Sequence, residues 1–327
     1  MPIPTLVYAA DQAYADPLVY SAYSCLAHST APRIRLCILD HGIADRTPFR
    51  RLTDRFPNRV ELHFFEVSPL LSRVQAAHAR HETNVRLPPT TLARLFMAEV
   101  LPPSFSPVLY LDCDTLILAD IQELLEAWPA VAPCGAVGEH LFHAQRDRWP
   151  NAAALPAPHT RLFNAGVLLT DLHWWREAQV AERTLGVLTG TGPRTLQDLD
   201  LRYLDQDALN LVLGTEVRPL PPRWNAQNGS IGRTLSLSLP ELASHLLKRD
   251  LGIIHYVGRS KPWSAFGLRI FNPEMILTWM AYTAHLLRVH HDQPWRTASR
   301  LLLQQIQAFG PHLRRFLDAR LLGRGRR

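Results

Sequence analysis

Two aspartates follow an apolar run in the stretch VLYLDCDTLI, residues 108–117. The run predicts a strand over residues 107–112 that is apolar on both faces, as parallel strands between two helical layers are. Asp112 and Asp114 are two residues apart, so in an extended chain both carboxylates point to one side, with Cα atoms about 6.6 Å apart. Carboxylates suit Mg²⁺ and Mn²⁺, which commonly bridge a protein to a diphosphate. The spacing indicates a divalent-cation site; the alternative is a capping aspartate followed by a solvated one.

The same aspartates allow a second chemistry. Asp-x-Asp-Thr after an apolar strand resembles the motif of haloacid-dehalogenase phosphatases, in which the first aspartate, here Asp112, would be the nucleophile. That motif normally follows the first strand of the sheet, whereas at least three predicted strands precede it here. Its position in the chain argues against the phosphatase hypothesis without excluding it.

Two further stretches place polar residues at the starts of elements. FNAGVLL has Asn164 and Gly166 at a strand start, where a glycine lets a ligand approach the backbone; the alternative is a β-bulge. YLDQDALN has Asp205 and Gln206 at a helix start, where Asp205 could instead be an N-cap. Each stretch alone is weak evidence for a site.

The stretch IIHYVGRSKPW combines three residue types at intervals of three. His255 lies near the end of a predicted strand over residues 251–257, and Gly258 and Lys261 follow that strand. An imidazole suits Mn²⁺ better than Mg²⁺, and a lysine supplies a point charge for a phosphate. The pattern fits a loop that binds a metal and a phosphate, although a lone histidine is more often structural.

The elements that must position these residues alternate in the first part of the chain. Strand, helix, strand, helix at this spacing predicts a parallel or mixed α/β sheet with right-handed crossovers. Ligands of such sheets bind beyond the carboxyl ends of the strands, where Asp112 and Asp114 would lie. The predicted strands here are 5–10, 33–39, 60–67 and 107–112, and the helices run from Pro17 to Ser29, from Asp45 to Phe56 and from Thr90 to Leu101.

The second part of the chain is a mixture that becomes purely helical. Strand patterns disappear from about residue 272 onward. The predicted strands are 132–138, 163–172 and 251–257, and the predicted helices are 173–188 and 205–214.

Composition limits the class of protein. A chain of 327 residues with 47% hydrophobic and 20% charged residues is that of an ordinary globular protein with a sizeable core. No apolar stretch approaches the roughly 20 residues of a spanning helix, and the N-terminus lacks the pattern of a secretory signal. We expect a cytoplasmic protein whose four cysteines, without a CxxC pair, are buried thiols rather than disulfides or zinc ligands: Cys25, Cys37, Cys113 and Cys134.

The positive charge is concentrated at one end. The chain carries +6, whereas the segment from Arg288 to Arg327 has nine arginines and two acids and carries +7, so the rest sums to −1. A near-neutral body argues against a nucleic-acid partner. Apolar side chains at helical spacing alternate with arginines from about Arg296 onward. This pattern predicts a peripheral tether to an anionic membrane, here the inner face of the plasma membrane; the alternative is a packed helix with a solvated basic end.

Taken together and in order, six stretches resemble glycosyltransferase family 8. The similarity is greatest to the bacterial lipopolysaccharide α-galactosyl- and α-glucosyltransferases and runs from about Ile3 to Trp263. The stretches are AADQAY, TTLARL, VLYLDCDTLI, FNAGVLLTDLHWW, DQDALN and HYVGRSKPW.

The resemblance implies a retaining transferase with a GT-A-type nucleotide-sugar-binding fold, in which a mixed, mainly parallel sheet is flanked by helices. It implies Mn²⁺ or Mg²⁺ held by Asp112, Asp114 and His255 against the diphosphate of a UDP-hexose. Gly258 and Lys261 would contact the same diphosphate. Cation and diphosphate would then offset each other's charge and that of the two aspartates.

The resemblance also implies the residues around the rest of the donor. Asp11 would point toward the uracil base, while Ala13 stands where the family usually has an asparagine. Glu139 matches, loosely, a carboxylate near the acceptor. The uridine pocket would comprise Ala9, Ala10, Asp11 and Tyr14. The sugar would contact Arg94, Asn164, Ala165, Asp205 and Gln206, and Cys113 and Gly166 would be further substrate-binding residues.

Gln206 and Asp205 would be the catalytic residues near the anomeric carbon. Retention requires either a double displacement or a same-face attack guided by the leaving phosphate. A glutamine amide is a poor nucleophile, so we favour same-face attack, with Gln206 stabilising positive charge on the sugar ring. The other hypotheses are a phosphatase, and a non-catalytic or self-glycosylating nucleotide-sugar binder.

The predicted partners and domains follow from this. The donor would be UDP-galactose or UDP-glucose, and the acceptor a saccharide or lipid-linked saccharide, such as lipopolysaccharide core. Residues 1–270 would form the catalytic domain, with a nucleotide-binding part over about 1–115 and an acceptor part over about 116–270. Residues 271–327 would form a helical, basic tail.

Overall fold

The strands of the chain form two sheets in the computed structural model, which describes residues 3–78, 89–138, 162–191, 204–214, 216–258, 261–263 and 273–289. The strands of the described residues are β1 (Thr5–Ala10), β2 (Ile34–Asp40), β3 (Val60–Glu66), β4 (Val108–Leu111), β5 (Thr115–Ile117), β6 (Cys134–Gly138), β7 (Phe163–Thr170), β8 (Val217–Pro219), β9 (Ala226–Gln227) and β10 (Ile253–His255).

The larger sheet has seven strands in the order β3-β2-β1-β4-β7-β6-β8. The pairs β3–β2, β2–β1 and β1–β4 are all parallel, as repeated strand–helix–strand units require. Strand β7 runs antiparallel to both β4 and β6, and β8 runs parallel to β6. The prediction of a mixed, mainly parallel sheet is confirmed.

The core lies on both faces of this sheet. Every residue of β1 is buried, and the side chains alternate between two apolar clusters: Leu6 and Tyr8 belong to one, Val7 and Ala9 to the other. The same alternation holds along β4. Helices therefore cover both faces, and the polar residues that follow these strands emerge at the carboxyl edge of the sheet. The four cysteines are buried free thiols, as expected.

Several predicted helices are interrupted. The helix predicted from Thr90 to Leu101 consists of three short helical pieces. The helix predicted over residues 173–188 is divided in two at Gln179, whose φ of 51° is not helical. The α-helices are α1 (Ala15–His28), α2 (Thr47–Arg55), α3 (Ser68–His78), α4 (Pro89–Leu92), α5 (Met97–Val100), α6 (Ile121–Leu125), α7 (Trp128–Val131), α8 (Leu172–Glu177), α9 (Val180–Thr189), α10 (Leu204–Leu213), α11 (Ile231–Leu235), α12 (Leu239–Lys248) and α13 (Pro273–Val289). The 3-10 turns are Gln12–Tyr14, Ala93–Phe96, Pro103–Phe105 and Pro222–Asn225.

Strand lengths also differ from expectation. Strands over 251–257 and 163–172 were expected, whereas the structure has Ile253–His255 and Phe163–Thr170. The sequence patterns missed β5, β8 and β9, because strands of two or three residues are too short to show a period of two. Pro17, expected to open α1, is its third residue.

The smaller sheet has the order β5-β10-β9, with β10 antiparallel to β5 and parallel to β9. Helix α13 covers it: Met275, Trp279, Tyr282 and Leu286 share a buried cluster with Ile254. Residues 273–289, which the sequence assigns to the tail, therefore pack against the catalytic part. The rest of the predicted tail, 290–327, lies outside the described residues, and the proposed boundary at residue 270 stays a prediction. Within the described part of the chain, no helix has both the length and the apolar character needed to cross a membrane.

Candidate active site

Three predicted metal ligands meet at the carboxyl edge of the larger sheet. One ligand atom each from Asp112, Asp114 and His255 lies within 4.8 Å of the other two. Nε2 of His255 is 3.2 Å from Oδ1 of Asp114 and 3.6 Å from Oδ2 of Asp112. Two carboxylates and an imidazole form a donor set that suits Mn²⁺, so the residues fit the expected cation.

The contact between the two sheets brings these ligands together. The chain leaves β4 at Leu111 and enters β5, in the other sheet, at Thr115. There Thr115 is the register partner of His255, and the amide of Tyr256 donates to the carbonyl of Asp114 at 2.9 Å. The Asp-Cys-Asp segment thus joins the sheets, and the antiparallel pairing of β5 and β10 fixes the histidine beside it.

Gly166 leaves the space that this cluster occupies. The amide of Asp112 donates to the carbonyl of Gly166 at 2.8 Å, so the two backbones are adjacent. A Cβ on Gly166 would lie 2.2 Å from Cε1 of His255 and 2.8 Å from Oδ2 of Asp112. We expected the glycine to admit a ligand; protein side chains of the metal-binding group fill the space instead.

Arg94 is buried and connects three parts of the site. Its Nη2 lies 3.1 Å from Oδ1 of Asp112 and 3.4 Å from Oδ2 of Asp205, and its Nη1 donates to the carbonyl of Ala165 at 2.6 Å. Burial by itself would lower the pKa of Arg94, but the surrounding negative groups, with Asp112 the strongest, together outweigh this and the pKa is raised. Arg94 is therefore a permanent positive charge between the metal-binding group and α10.

Helix α10 sets its first turn against the start of β7. The side chain of Asn210 accepts from the amide of Phe163 at 2.8 Å and donates to the same residue's carbonyl at 2.9 Å. One turn earlier, Oε1 of Gln206 accepts from the amide of Ala165 at 3.1 Å. Burial raises the pKa of Asp205, the neighbouring carboxyl. The sequence places Asn210 in a motif but gives it no role; its role here is to attach α10 to the sheet.

Lys261 contacts the same aspartate as the histidine. Its Nζ donates to Oδ2 of Asp114 and to the carbonyl of Tyr256. Burial raises the pKa of Asp114, yet the charges of His255 and Lys261 outweigh it, and the pKa lies below the usual range. The aspartate is thus held as a carboxylate.

The predicted uridine residues lie at the end of β1 and directly after it. Ala9 and Ala10 are buried at the end of the strand, and Oδ1 of Asp11 accepts from the amides of Ala13 and Tyr14 at 3.0 and 3.2 Å. Asp11 therefore caps the 3-10 turn Gln12–Tyr14, and its Oδ2 accepts from the hydroxyl of Thr90 at 3.2 Å. Partial burial and the nearby carboxylate of Asp114 raise the pKa of Tyr14 to about 12, so this phenol stays protonated.

Other predicted residues have different surroundings. The thiol of Cys113 is buried and donates to the carbonyl of Ala9 at 3.1 Å. Gly258 has φ of +78°, a conformation that favours glycine, and no atom of the described residues lies within 4 Å of the position of a Cβ. Glu139 lies outside the described residues, so its place near an acceptor stays a prediction.

Two residues at the site carried no signal in the sequence. The hydroxyl of Tyr110 donates to Oδ1 of Asp112 at 2.9 Å. Oδ1 of Asn225 lies 2.9 Å from Nδ1 of His255. Tyr110 is a strand residue by pattern, and Asn225 lies in an irregular stretch, so only the fold shows that either touches the site.

Comparison with known proteins agrees with this geometry. Residues 5–267 match the sequence profile of glycosyl transferase family 8, which is most of the chain. The chain belongs to glycosyl transferase family 8. Its members are retaining glycosyltransferases with a GT-A-like fold that use a divalent metal. This protein is therefore a glycosyltransferase. The phosphatase hypothesis is not supported.

Individual relatives are distant. General stress protein A of Bacillus subtilis is 27% identical over 285 residues, which are 85% of this chain and 93% of that protein. Lipopolysaccharide 1,3-galactosyltransferase of Salmonella typhimurium is 27% identical over 180 residues, 54% of this chain and 50% of that enzyme. The alignment thus spans about half of the galactosyltransferase.

A solved structure shares the fold. The galactosyltransferase LgtC, in complex with donor and acceptor sugar analogs, superposes with a TM-score of 0.62 at 25% identity, covering 85% of this chain and 95% of that one. The similarity supports a GT-A-like architecture for the described part of the chain.

Proposed function

We propose that this protein transfers galactose or glucose from a UDP-hexose to a hydroxyl group of a saccharide acceptor, with retention at the anomeric carbon and with Mn²⁺ or Mg²⁺ bound. The observation that carries the proposal is the meeting of Asp112, Asp114 and His255 beyond the end of β4, beside the buried cation Arg94. Such a donor set at the carboxyl edge of an α/β sheet suits a metal-bound diphosphate.

The divalent ion would be held by these three side chains and would supply Lewis-acid stabilisation to the departing diphosphate. Lys261 donates to Asp114 and so lies beside the metal-binding group. From there it would add a charge-assisted contact to the diphosphate. Gly258 has no side chain, which would let phosphate oxygens approach the backbone of this loop. These residues would bind and orient the leaving group.

The donor sugar would lie between β7 and α10. Arg94 and Gln206 both bind the backbone of Ala165, so the polar groups expected to contact the sugar are fixed relative to one another. Oε1 of Gln206 accepts one hydrogen bond and retains a second lone pair, which can stabilise positive charge on the ring. The acceptor hydroxyl would attack from the face that UDP leaves, and the departing phosphate oxygen would take its proton.

The acceptor is proposed to be a saccharide, such as lipopolysaccharide core or another cell-surface glycan. Two relatives whose names include lipopolysaccharide support this class of acceptor. They are the Salmonella enzyme and lipopolysaccharide 1,2-glucosyltransferase of Escherichia coli. Attachment to the anionic inner face of the membrane through residues 296–327 belongs to the same proposal. In its support, α13 exposes Met280 and Leu287, at 63% and 44%, just before the basic segment.

Hydrolysis of a panel of UDP-sugars, with and without Mn²⁺, tests the proposal. We expect UDP release from UDP-galactose or UDP-glucose that depends on the metal, and an α-linked product when an acceptor is present. Asp112→Asn and Asp114→Asn each remove a charged ligand and should lower the rate at least 100-fold while the protein still unfolds cooperatively. Asp54→Asn, on the exposed face of α2, is the control.

Full activity in chelator would refute the metal's role, and release from none of the panel would refute the donor class. Intact-mass measurement after incubation with donor covers the remaining hypothesis: a mass gain of one or more hexoses would indicate self-glycosylation.

A further inference from the structure

Asn225 is a buried side chain that connects β7 with His255. It ends the 3-10 turn Pro222–Asn225, and only 1% of its surface is exposed. Its Nδ2 donates to Oδ1 of Asn164 at 2.9 Å, and its Oδ1 lies 2.9 Å from Nδ1 of His255. We call the three side chains the Asn164–Asn225–His255 row; it runs from the backbone of β7 to the metal-binding group.

One backbone donor determines the direction of every hydrogen bond in this row. The amide of Gly166 can only donate, so the side-chain atom of Asn164 that it meets at 3.0 Å is the oxygen. Because that oxygen also faces Asn225, the latter must present its NH₂ group there and turn its own oxygen toward His255. An amide oxygen only accepts, so Nδ1 of His255 carries a hydrogen.

A hydrogen on Nδ1 leaves Nε2 of the neutral imidazole with a lone pair. This nitrogen faces Oδ1 of Asp114 at 3.2 Å and Oδ2 of Asp112 at 3.6 Å. In that form Nε2 and the two carboxylate oxygens are all acceptors directed at one gap, which a divalent cation can occupy; without the ion, a proton on Nε2 takes that place and gives His255 its positive charge. Histidine ligands of metals commonly donate their other N–H in this way, and the hydrogen bond fixes both tautomer and ring orientation.

We propose that Asn225 is a positioning residue, whose Oδ1 holds His255 in the Nδ1-protonated tautomer so that Nε2 is set to bind the divalent cation. The inference rests on the proposed metal dependence of transfer. Asn225 acts through His255 rather than on the cation, so its contribution should vanish when the imidazole is removed.

Binding of Mn²⁺ alone to the nucleotide-free protein, measured from the EPR signal of free Mn²⁺, tests this. Asn225→Leu has a similar volume but no acceptor, and the dissociation constant for Mn²⁺ should rise 10–100-fold, as is typical when a partner of a metal-ligating histidine is removed. Asn225→Asp keeps an acceptor facing Nδ1 but replaces the donor that faces Asn164, and it should retain more of the affinity than the leucine variant does. Asn228→Leu is the matched control: Asn228 is also buried, lies three residues on, and donates its backbone amide to the carbonyl of His255 at 2.9 Å, a bond that the substitution keeps.

A double-mutant cycle separates a positioning role from a structural one. In a His255→Ala background, Asn225→Leu should cause no further loss of Mn²⁺ affinity, because the residue through which it acts is gone. Melting of the metal-free variants monitors folding, and Asn225→Ala replaces the leucine variant if the latter does not melt cooperatively.

The outcomes distinguish this inference from the proposed function. Wild-type protein that binds no Mn²⁺ overturns the metal-dependent function itself. Wild-type protein that binds Mn²⁺, with Asn225→Leu and Asn225→Ala equally tight or with additive losses in the cycle, overturns only the positioning role.

Discussion

Gly166 gives His255 the space that a side chain would fill. A Cβ at position 166 would lie 2.2 Å from Cε1 of His255, closer than non-bonded atoms approach. The glycine of the FNAG stretch is therefore required by packing inside the site, whatever else binds there. Its carbonyl also accepts from the amide of Asp112, so the residue fixes one metal ligand and makes room for another.

Gly166→Ala should accordingly damage the metal site more than the fold. The added methyl must displace the imidazole or the carboxylate of Asp112, and we expect Mn²⁺ affinity and transfer to fall at least tenfold. EPR titration and a transfer assay measure this. Gly138→Ala is the control, since the nearest atom of the described residues to a Cβ there is the carbonyl oxygen of Leu162 at 3.8 Å. Wild-type Mn²⁺ affinity in Gly166→Ala would show that the imidazole is not a ligand.

Lys261→Ala should weaken UDP binding. A charge-assisted contact is worth about 1.5–3 kcal/mol, which corresponds to a roughly 10- to 150-fold higher dissociation constant. Calorimetry with UDP and Mn²⁺ measures the change. The control is Lys248→Ala: Lys248 is the other lysine of the chain and is exposed, so this variant should bind UDP as the wild type does. Unchanged affinity together with unchanged turnover would remove Lys261 from the diphosphate site.

His285 should make stability depend on pH on the acidic side. Burial lowers the pKa of this α13 side chain to about 4, although its ring nitrogen Nε2 contacts the carbonyl of Tyr20 at 2.9 Å. The unfolded chain binds the proton near pH 6.5, so folding becomes less favourable as the pH falls from about 6.5 toward 4. The loss is on the order of 3 kcal/mol.

Chemical denaturation between pH 4 and 7 tests this, with His285→Gln as the variant. The glutamine can still donate to Tyr20 but does not titrate, so the variant should lose about one proton's worth of pH dependence. His173→Gln, at a side chain that is 70% exposed, should follow the wild type. Parallel curves for His285→Gln and wild type would contradict the expectation.

Deletion of residues 311–327 should release the protein from anionic vesicles. Arg314, Arg315 and Arg320 belong to the six arginines in this segment, and each contributes roughly 1 kcal/mol near an anionic surface. Sedimentation with phosphatidylserine vesicles measures attachment, and hydrolysis of the UDP-sugar should be unchanged. A truncated protein that still sediments, or a full-length one that never does, would disprove the tether.

The sequence by itself determined the main strands and the chemistry at their ends. Runs such as residues 108–111 are apolar on both faces because both faces of the sheet are covered by helices, and periodicity reports this directly. Asp112 and Asp114 indicated a cation site because both follow an apolar strand, whereas the resemblance to the family joined His255 to them as one set of ligands. The same resemblance connected six stretches that lie far apart in the chain, from AADQAY to HYVGRSKPW.

The tertiary structure decided how those residues are held. Which strands pair is a non-local choice, so the second sheet, with its partners Thr115 and His255, leaves no local pattern in the sequence. The same holds for Asn225: its importance comes from hydrogen bonds to residues 61 and 30 positions away, Asn164 and His255. Local sequence fixes what a side chain can do chemically, whereas its partners depend on contacts that only the folded chain creates.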